Sequence, residues 1–175
     1  PRPQNPLSGV HFATADEFKR TQQVGRLAAS QEGVVSGAQL VGLGVTPRQI
    51  VGWLQSGRLI EMHRGVYWVG HARPDWPSRH HGVLLASGAT AALFRSSAAL
   101  VHDLPVPEPE RPEVTIWHER VIRRPEIVTF RSRTIDPDRD ITTVRDLRVT
   151  RIPRTLVDLA AVLNQTQLER VLERV

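Results

Sequence analysis

Arg48, Gln49 and Gln55 fall within residues 47–55, PRQIVGWLQ, and are side chains able to address both kinds of atom on a base edge. A guanidinium donates from a fixed fork, and a side-chain amide both donates and accepts. Thr46, Arg58, His63 and Arg64 flank them with a hydroxyl and basic groups suited to phosphate oxygens. Between positions 33 and 70 there are three arginines and one acid, Glu61. This set points to double-stranded DNA, with Arg48, Gln49 and Gln55 reading the groove and Thr46, Arg58, His63 and Arg64 holding the backbone. The same residues would also suit the solvated face of a protein-binding domain, and both readings stay open at this level.

The elements that must carry these residues are legible around them. Ser36 precedes Gln39 by three positions, the spacing of a capping box, and Leu40 and Val41 follow. A short helix therefore starts near Ser36. Gly42 and Gly44 supply a turn, and Thr46-Pro47 gives an N-cap with proline at the first helical position. In the second helix Ile50, Trp53 and Leu54 recur at helical spacing, while Arg48, Gln49, Gly52, Gln55 and Ser56 occupy the remaining surface; Gly57 closes it. Leu59, Ile60 and Met62, the turn His63-Arg64-Gly65, and Val66-Tyr67-Trp68-Val69 then spell a hairpin with a basic tip. Two capped helices followed by a hairpin describe a winged helix-turn-helix, a fold used as a groove reader.

The chain has 175 residues, enough for one domain or two small ones, and the pattern favours two. Its net charge of +5 is spread along the chain and supports a polyanionic partner only weakly. Lys19 is the sole lysine among the basic residues, a bias toward bidentate donors that a GC-rich genome also explains. With no cysteine there are no disulfides, thiol nucleophiles or thiolate metal sites, as fits a cytoplasmic protein. No apolar run approaches the roughly 20 residues of a membrane helix, so no membrane partner is expected.

Residues 1–13 are proline-rich and aperiodic, and read as a flexible lead. Asp16 and Glu17 open a first helix, with Phe18, Val24, Leu27 and Ala28 on one side, and residues 14–72 form the DNA-binding unit. Residues 73–80, part of the proline-interrupted HARPDWPSRH, read as a linker. Residues 81–175 follow with a helical stretch from His81 to Phe94, broken at Ser87-Gly88, and a short helix from Ser96 to Leu104. Strands are expected at Glu113–Trp117, Ile127–Arg131 and Ile141–Val144, and a helix from Thr150 to Val162. Arg151, Arg154 and Asp158 are spaced to form an ion-pair ladder on that helix. The fold class is thus α+β: an N-terminal winged helix-turn-helix followed by a smaller mixed α+β domain. Leu168, Val171, Leu172 and Val175 keep helical spacing to the last residue with no capping Gly, Asn or Pro, so the natural chain is expected to continue.

Sites for other chemistry are poorly supported. Asp136-Pro137-Asp138-Arg139-Asp140 alternates acids like a calcium loop, but Ile141 and Leu147 stand where that loop needs glycine and glutamate. His80 and His81 are adjacent, and His102 and His118 lack neighbours at ligand spacing, so no metal is expected. Ser96-Ser97 lacks the surroundings of a hydrolase nucleophile, and no phosphate-binding or dinucleotide fingerprint occurs. No cofactor and no enzymatic activity are expected of these residues. The eleven arginines from Arg111 to Arg154 fit either a second nucleic-acid face or a surface salt-bridged to Glu119, Glu126, Asp140 and Asp146.

Three segments, GVVSGAQLVGLGVTPRQIVGWLQSGRLIEMHRGVYWVG, ALFRSSAALVHDL and VTRIPRTLVDLAA, in this order and spacing, resemble the type IV abortive-infection antitoxin family (AbiEi-like proteins) common in actinobacteria. The resemblance covers about residues 25–175 and is strongest at Gly65–Tyr67, Ser97–Ala99 and Arg154–Ala160. It implies a winged helix that binds operator DNA and represses its own operon, joined to a domain tied to antitoxin activity. The toxin of such a system is nucleotidyltransferase-like, and direct contact with it is not implied. Many actinobacterial relatives continue into a domain like the very-short-patch-repair endonuclease. The alternative reading is therefore the DNA-targeting portion of such an enzyme, with its catalytic domain beyond residue 175.

Overall fold

The structure is a computed structural model that describes residues 15–70, 74–117 and 124–175. It is mixed α+β, with eight helices and two sheets among those residues. The first part runs α1 (Ala15–Ser30), β1 (Val34–Ser36), α2 (Gly37–Gly42), α3 (Pro47–Gln55), β2 (Leu59–His63) and β3 (Val66–Val69). Asp16 and Glu17 sit in the first turn of α1, where carboxylates oppose the positive end of the helix dipole. The expected capping box at Ser36 forms, and the expected N-cap at Thr46 is a capping box as well. Ser36 Oγ accepts from the Gln39 amide while Gln39 Oε1 accepts from the Ser36 amide, and Thr46 and Gln49 do the same for α3.

Strand β1, absent from the sequence expectation, gives the hairpin a third antiparallel member in the order β1-β3-β2. Gly33 makes this possible. Its φ is +83°, and a Cβ there would lie 2.3 Å from the Trp68 ring, so only glycine lets the chain pass beneath the indole. Successive strand residues then face opposite ways. Val35 and Leu59 pack with Val24, Ala28, Leu40, Val45 and Ile50 of the helical layer, whereas Val34 and Val66 point to the other side.

That other side is covered by α4 (Trp76–Ser87), so the sheet is sandwiched and the two parts of the chain share a core. Residues 76–80, expected as linker, are thus the first turn of a helix capped by Asp75, whose carboxylate accepts from the Ser78 amide at 3.1 Å. The prolines misled the sequence reading: Pro77 lies within the first two positions of the helix, where its missing N–H costs nothing. His80 and His81 are buried on α4. His80 Nδ1 lies 2.9 Å from the Trp76 carbonyl and its ring stacks on the indole at 4.2 Å. Burial pushes both imidazoles below their ordinary range, which favours the neutral form.

The second sheet has the order β6-β5-β4-β8-β7, built from β4 (Ala91–Leu93), β5 (Glu113–Ile116), β6 (Val128–Arg131), β7 (Ile141–Val144) and β8 (Leu147–Thr150). The pairs β4–β8 and β5–β6 are parallel; β4–β5 and β7–β8 are antiparallel. The expected helical stretch from His81 to Phe94 is therefore corrected. Gly88, at φ +94°, ends α4, and Ala91–Leu93 forms the central strand, buried on both faces. Helices α5 (Arg95–Val101), α7 (Ile152–Ala160) and α8 (Gln165–Leu172) contribute Ala99, Leu159 and Val171 to a separate cluster with Leu104. The segment Asp136–Asp140 closes as α6 (Pro137–Asp140), with Asp136 as its N-cap.

Candidate nucleic-acid interface

Helix α3 presents two unlike sides. Ile50 is buried, and Trp53 and Leu54 are half-buried against the first core, while Arg48, Val51, Gly52 and Gln55 are exposed. At roughly 100° per residue those four fall within one sector of about 100°, with Ile50 nearly opposite. A helix seated this way offers a continuous outer stripe holding a cation, an amide, a branched apolar group and bare backbone.

Gln49 lies beside that stripe and has a structural duty. Its Oε1 accepts from the Thr46 amide at 2.9 Å and from Thr46 Oγ1 at 3.0 Å, while Thr46 Oγ1 accepts from the Gln49 amide at 3.3 Å. The carbonyl end of Gln49 is thereby committed to the helix start, and the cap makes no use of its amide NH2. Arg58, just past the helix, stacks its guanidinium over the Trp53 ring at 4.1 Å. Arg20, on α1, joins these groups. It lines a cleft of about 130 Å³ with Glu17, Thr21, Gln49, Trp53 and Arg58, and nothing in the helical spacing of α1 had singled it out.

Arg64 is exposed at the hairpin tip, next to Gly65, whose φ of +76° completes the turn. Glu61 Oε1 accepts from the Gly65 amide at 3.2 Å and closes the turn from within the hairpin. His63 stands apart from the other six. A register shift between Glu61 and His63 turns its imidazole toward the second part of the chain, where Nδ1 lies 3.0 Å from Glu126 Oε1 and the side chain is 10% exposed. The hydrogen bond from His63 holds the Glu126 carboxyl below its ordinary value. Arg124 adds a second link, donating from Nη2 to the Arg64 carbonyl at 3.3 Å. The fold thus gathers Thr46, Arg48, Gln49, Gln55 and Arg58 about α3, places Arg64 on the tip, and uses His63 to dock the hairpin.

Of the arginines from Arg111 to Arg154, several are committed within the fold. Arg139 and Arg154 both meet the buried Asp140, at 3.0 and 3.5 Å, and Arg154 also reaches Asp158 at 2.9 Å; Arg145 pairs with Asp103. Arg148 donates to the carbonyls of Gly88 and Ala89, and Arg111 to that of Pro125. Arg120 and Arg123, like His118 and Glu119, lie outside the described residues. Among the described residues no group of acidic or histidine side chains could hold a metal ion. Nor is any helix there long and apolar enough to cross a membrane.

Residues 22–69, from within α1 to the end of β3, match a family described as transcriptional regulator, AbiEi antitoxin. The matched segment contains every residue of the candidate interface on α3 and the hairpin. No curated protein matches the chain.

Proposed function

We propose that residues 15–70 act as a winged helix-turn-helix that binds operator DNA. The protein then serves as the antitoxin and transcriptional autorepressor of a type IV toxin–antitoxin operon, working in the cytoplasm without a cofactor or catalytic step. The observation that carries this reading is the exposed stripe of α3, with Arg48 and Gln55 on the side away from the buried Ile50. A helix held by its apolar side and fronted by a guanidinium and an amide suits the major groove, which offers acceptors and donors in sequence-dependent patterns. The match of residues 22–69 to a transcriptional-regulator antitoxin family supports the same reading.

In this arrangement α3 enters the groove, with Arg48 and Gln55 on base edges. Gln49 works through its NH2, and Thr46 and Arg58 approach the phosphates. Arg64 on the wing tip meets the flanking backbone. The toxin, nucleotidyltransferase-like in such systems, need not touch the protein for repression to work.

A reporter driven by the DNA upstream of the gene tests the proposal in cells. The intact protein lowers expression, and the double variant Arg48→Ala, Arg64→Ala restores it at equal protein level. Expression that is indifferent to the protein would refute autorepression.

A further inference from the structure

Two residues on the α3 stripe, Val51 and Gly52, belong to none of the core clusters. Val51 is 51% exposed, an apolar side chain set outward between Arg48 and Gln55. Gly52 has no positive φ, and a Cβ built on it would meet nothing within 4 Å, so neither backbone conformation nor packing calls for glycine. A glycine inside a helix lowers helix stability relative to alanine. An exposed valine gains nothing from water. Both choices make sense if a surface outside the chain lies against this side of the helix.

We infer that Val51 and Gly52 form a thymine-reading element. Val51 packs its methyl groups on the 5-methyl group of a thymine in the major groove, and Gly52 lets the helix backbone come close enough for that contact. The inference rests on the reading of α3 as the groove helix. The thymine methyl is the apolar feature among the base edges of the major groove, the surface a branched aliphatic side chain can recognise. Arg48 and Gln55, three and four residues away on the same stripe, provide the polar contacts on either side. Duplex DNA is the occupant that suits a valine framed by an arginine and an amide, in a first part whose cations outnumber its acids.

The test begins with selection of preferred duplexes from a random pool by the 175-residue protein. Each thymine in the selected site is then replaced by deoxyuridine, which removes only the methyl group. At one position the wild type should lose about fourfold in affinity, the value of one buried methyl, and Val51→Ala should bind the two duplexes equally. Gly52→Ala should raise the melting temperature by about 2 °C yet weaken specific binding about tenfold, as expected when a base contact is displaced. Gly25→Ala, on the exposed side of α1 and also in open space, should raise the melting temperature without loss of binding. Specific binding with no methyl-sensitive thymine, or full methyl sensitivity in Val51→Ala, would overturn the inference while leaving the groove-helix reading intact. No selected sequence at all would overturn both.

Discussion

Nδ1 of His63 and Oε1 of Glu126 lie 3.0 Å apart, joining the last residue of β2 to the segment that leads into β6. With the Arg124 bond to the Arg64 carbonyl, this contact fixes the hairpin tip on the second part of the chain. The tip is where a wing would meet DNA. Its orientation is therefore set by residues some 60 positions further along the chain.

Loosening this attachment should weaken DNA binding without unfolding the protein. The double variant Arg124→Ala, Glu126→Gln should speed amide exchange at Arg64 and Gly65 and lower affinity about three- to tenfold, since both contacts lie near the surface. Acid should act in the same direction. The folded Glu126 pKa is depressed below its ordinary 4.5 by the His63 hydrogen bond. Its contribution is complete above that value and is lost as pH falls through the lowered folded pKa. Glu126→Gln should remove this part of the acid sensitivity. Unchanged exchange at the tip in the double variant would show that the hairpin holds itself.

Gln49 combines a cap with an amide NH2 that the cap does not use, and two variants separate the duties. Gln49→Ala keeps the bond from the residue-49 amide to Thr46 Oγ1 and loses those to Gln49 Oε1, which should cost about 0.5–1.5 kcal/mol of stability. Gln49→Glu keeps the acceptor of the capping box and should retain near-native stability. Its added negative charge should still weaken binding to any duplex. Thermal melting beside DNA titration distinguishes them, and undiminished binding by Gln49→Glu would remove Gln49 from the interface.

Asp140 anchors the second part. Its carboxylate, 6% exposed, accepts from Arg139 and from the Asp136 amide and faces Arg154. The Arg139 hydrogen bond, with smaller help from the Asp136 amide and Arg154, holds its pKa below 3.8. Asp140→Ala should destabilise the fold by about 1.5–3 kcal/mol, the range for hydrogen bonds to charged groups. The wild type should lose this contribution below pH 3.8, as the depressed pKa is crossed from above. A urea midpoint unchanged at pH 7 would contradict the role.

What the sequence revealed, and what it hid, follows from how local each signal is. The helices α2 and α3 declare themselves through side chains that cap their own backbone within three residues. Val66–Val69 reads as a strand through branched and aromatic residues. β1 is too short to show alternation and merges into the Ser36 cap. β4 is Ala-Ala-Leu, buried on both faces, so no polar side exists to give it a period of two. β8 escaped because its turn lacks both the glycine and the asparagine that mark a two-residue hairpin. Arg145 and Asp146, at φ 51° and 59°, make the two-residue connection that asparagine and glycine normally supply. Within the site, the polar stripe of α3 was readable from helical period alone. Val51 was not, because an apolar residue carries no sign of facing outward. His63 lay beyond a local reading, since its partner Glu126 is distant in sequence.

The turn between β7 and β8 offers a prediction of its own. Asp146→Gly relieves a left-handed residue, a conformation that costs an L side chain roughly 1–2 kcal/mol, against the roughly 0.5–1 kcal/mol that the freer glycine costs on folding, and should slightly raise the melting temperature. A lower one would mean that the Asp146 side chain contributes more than its backbone costs.

The central claim is met most directly by fluorescence-anisotropy titration of the protein against its upstream DNA and a scrambled duplex, each at two salt concentrations. The upstream duplex should bind more tightly by a clear margin. Arg64→Ala should weaken both duplexes and reduce the salt slope by about one, and Arg48→Ala should erase most of the margin between them. Equal binding to the two duplexes, or none to either, would contradict the account of α3 as a sequence-reading helix.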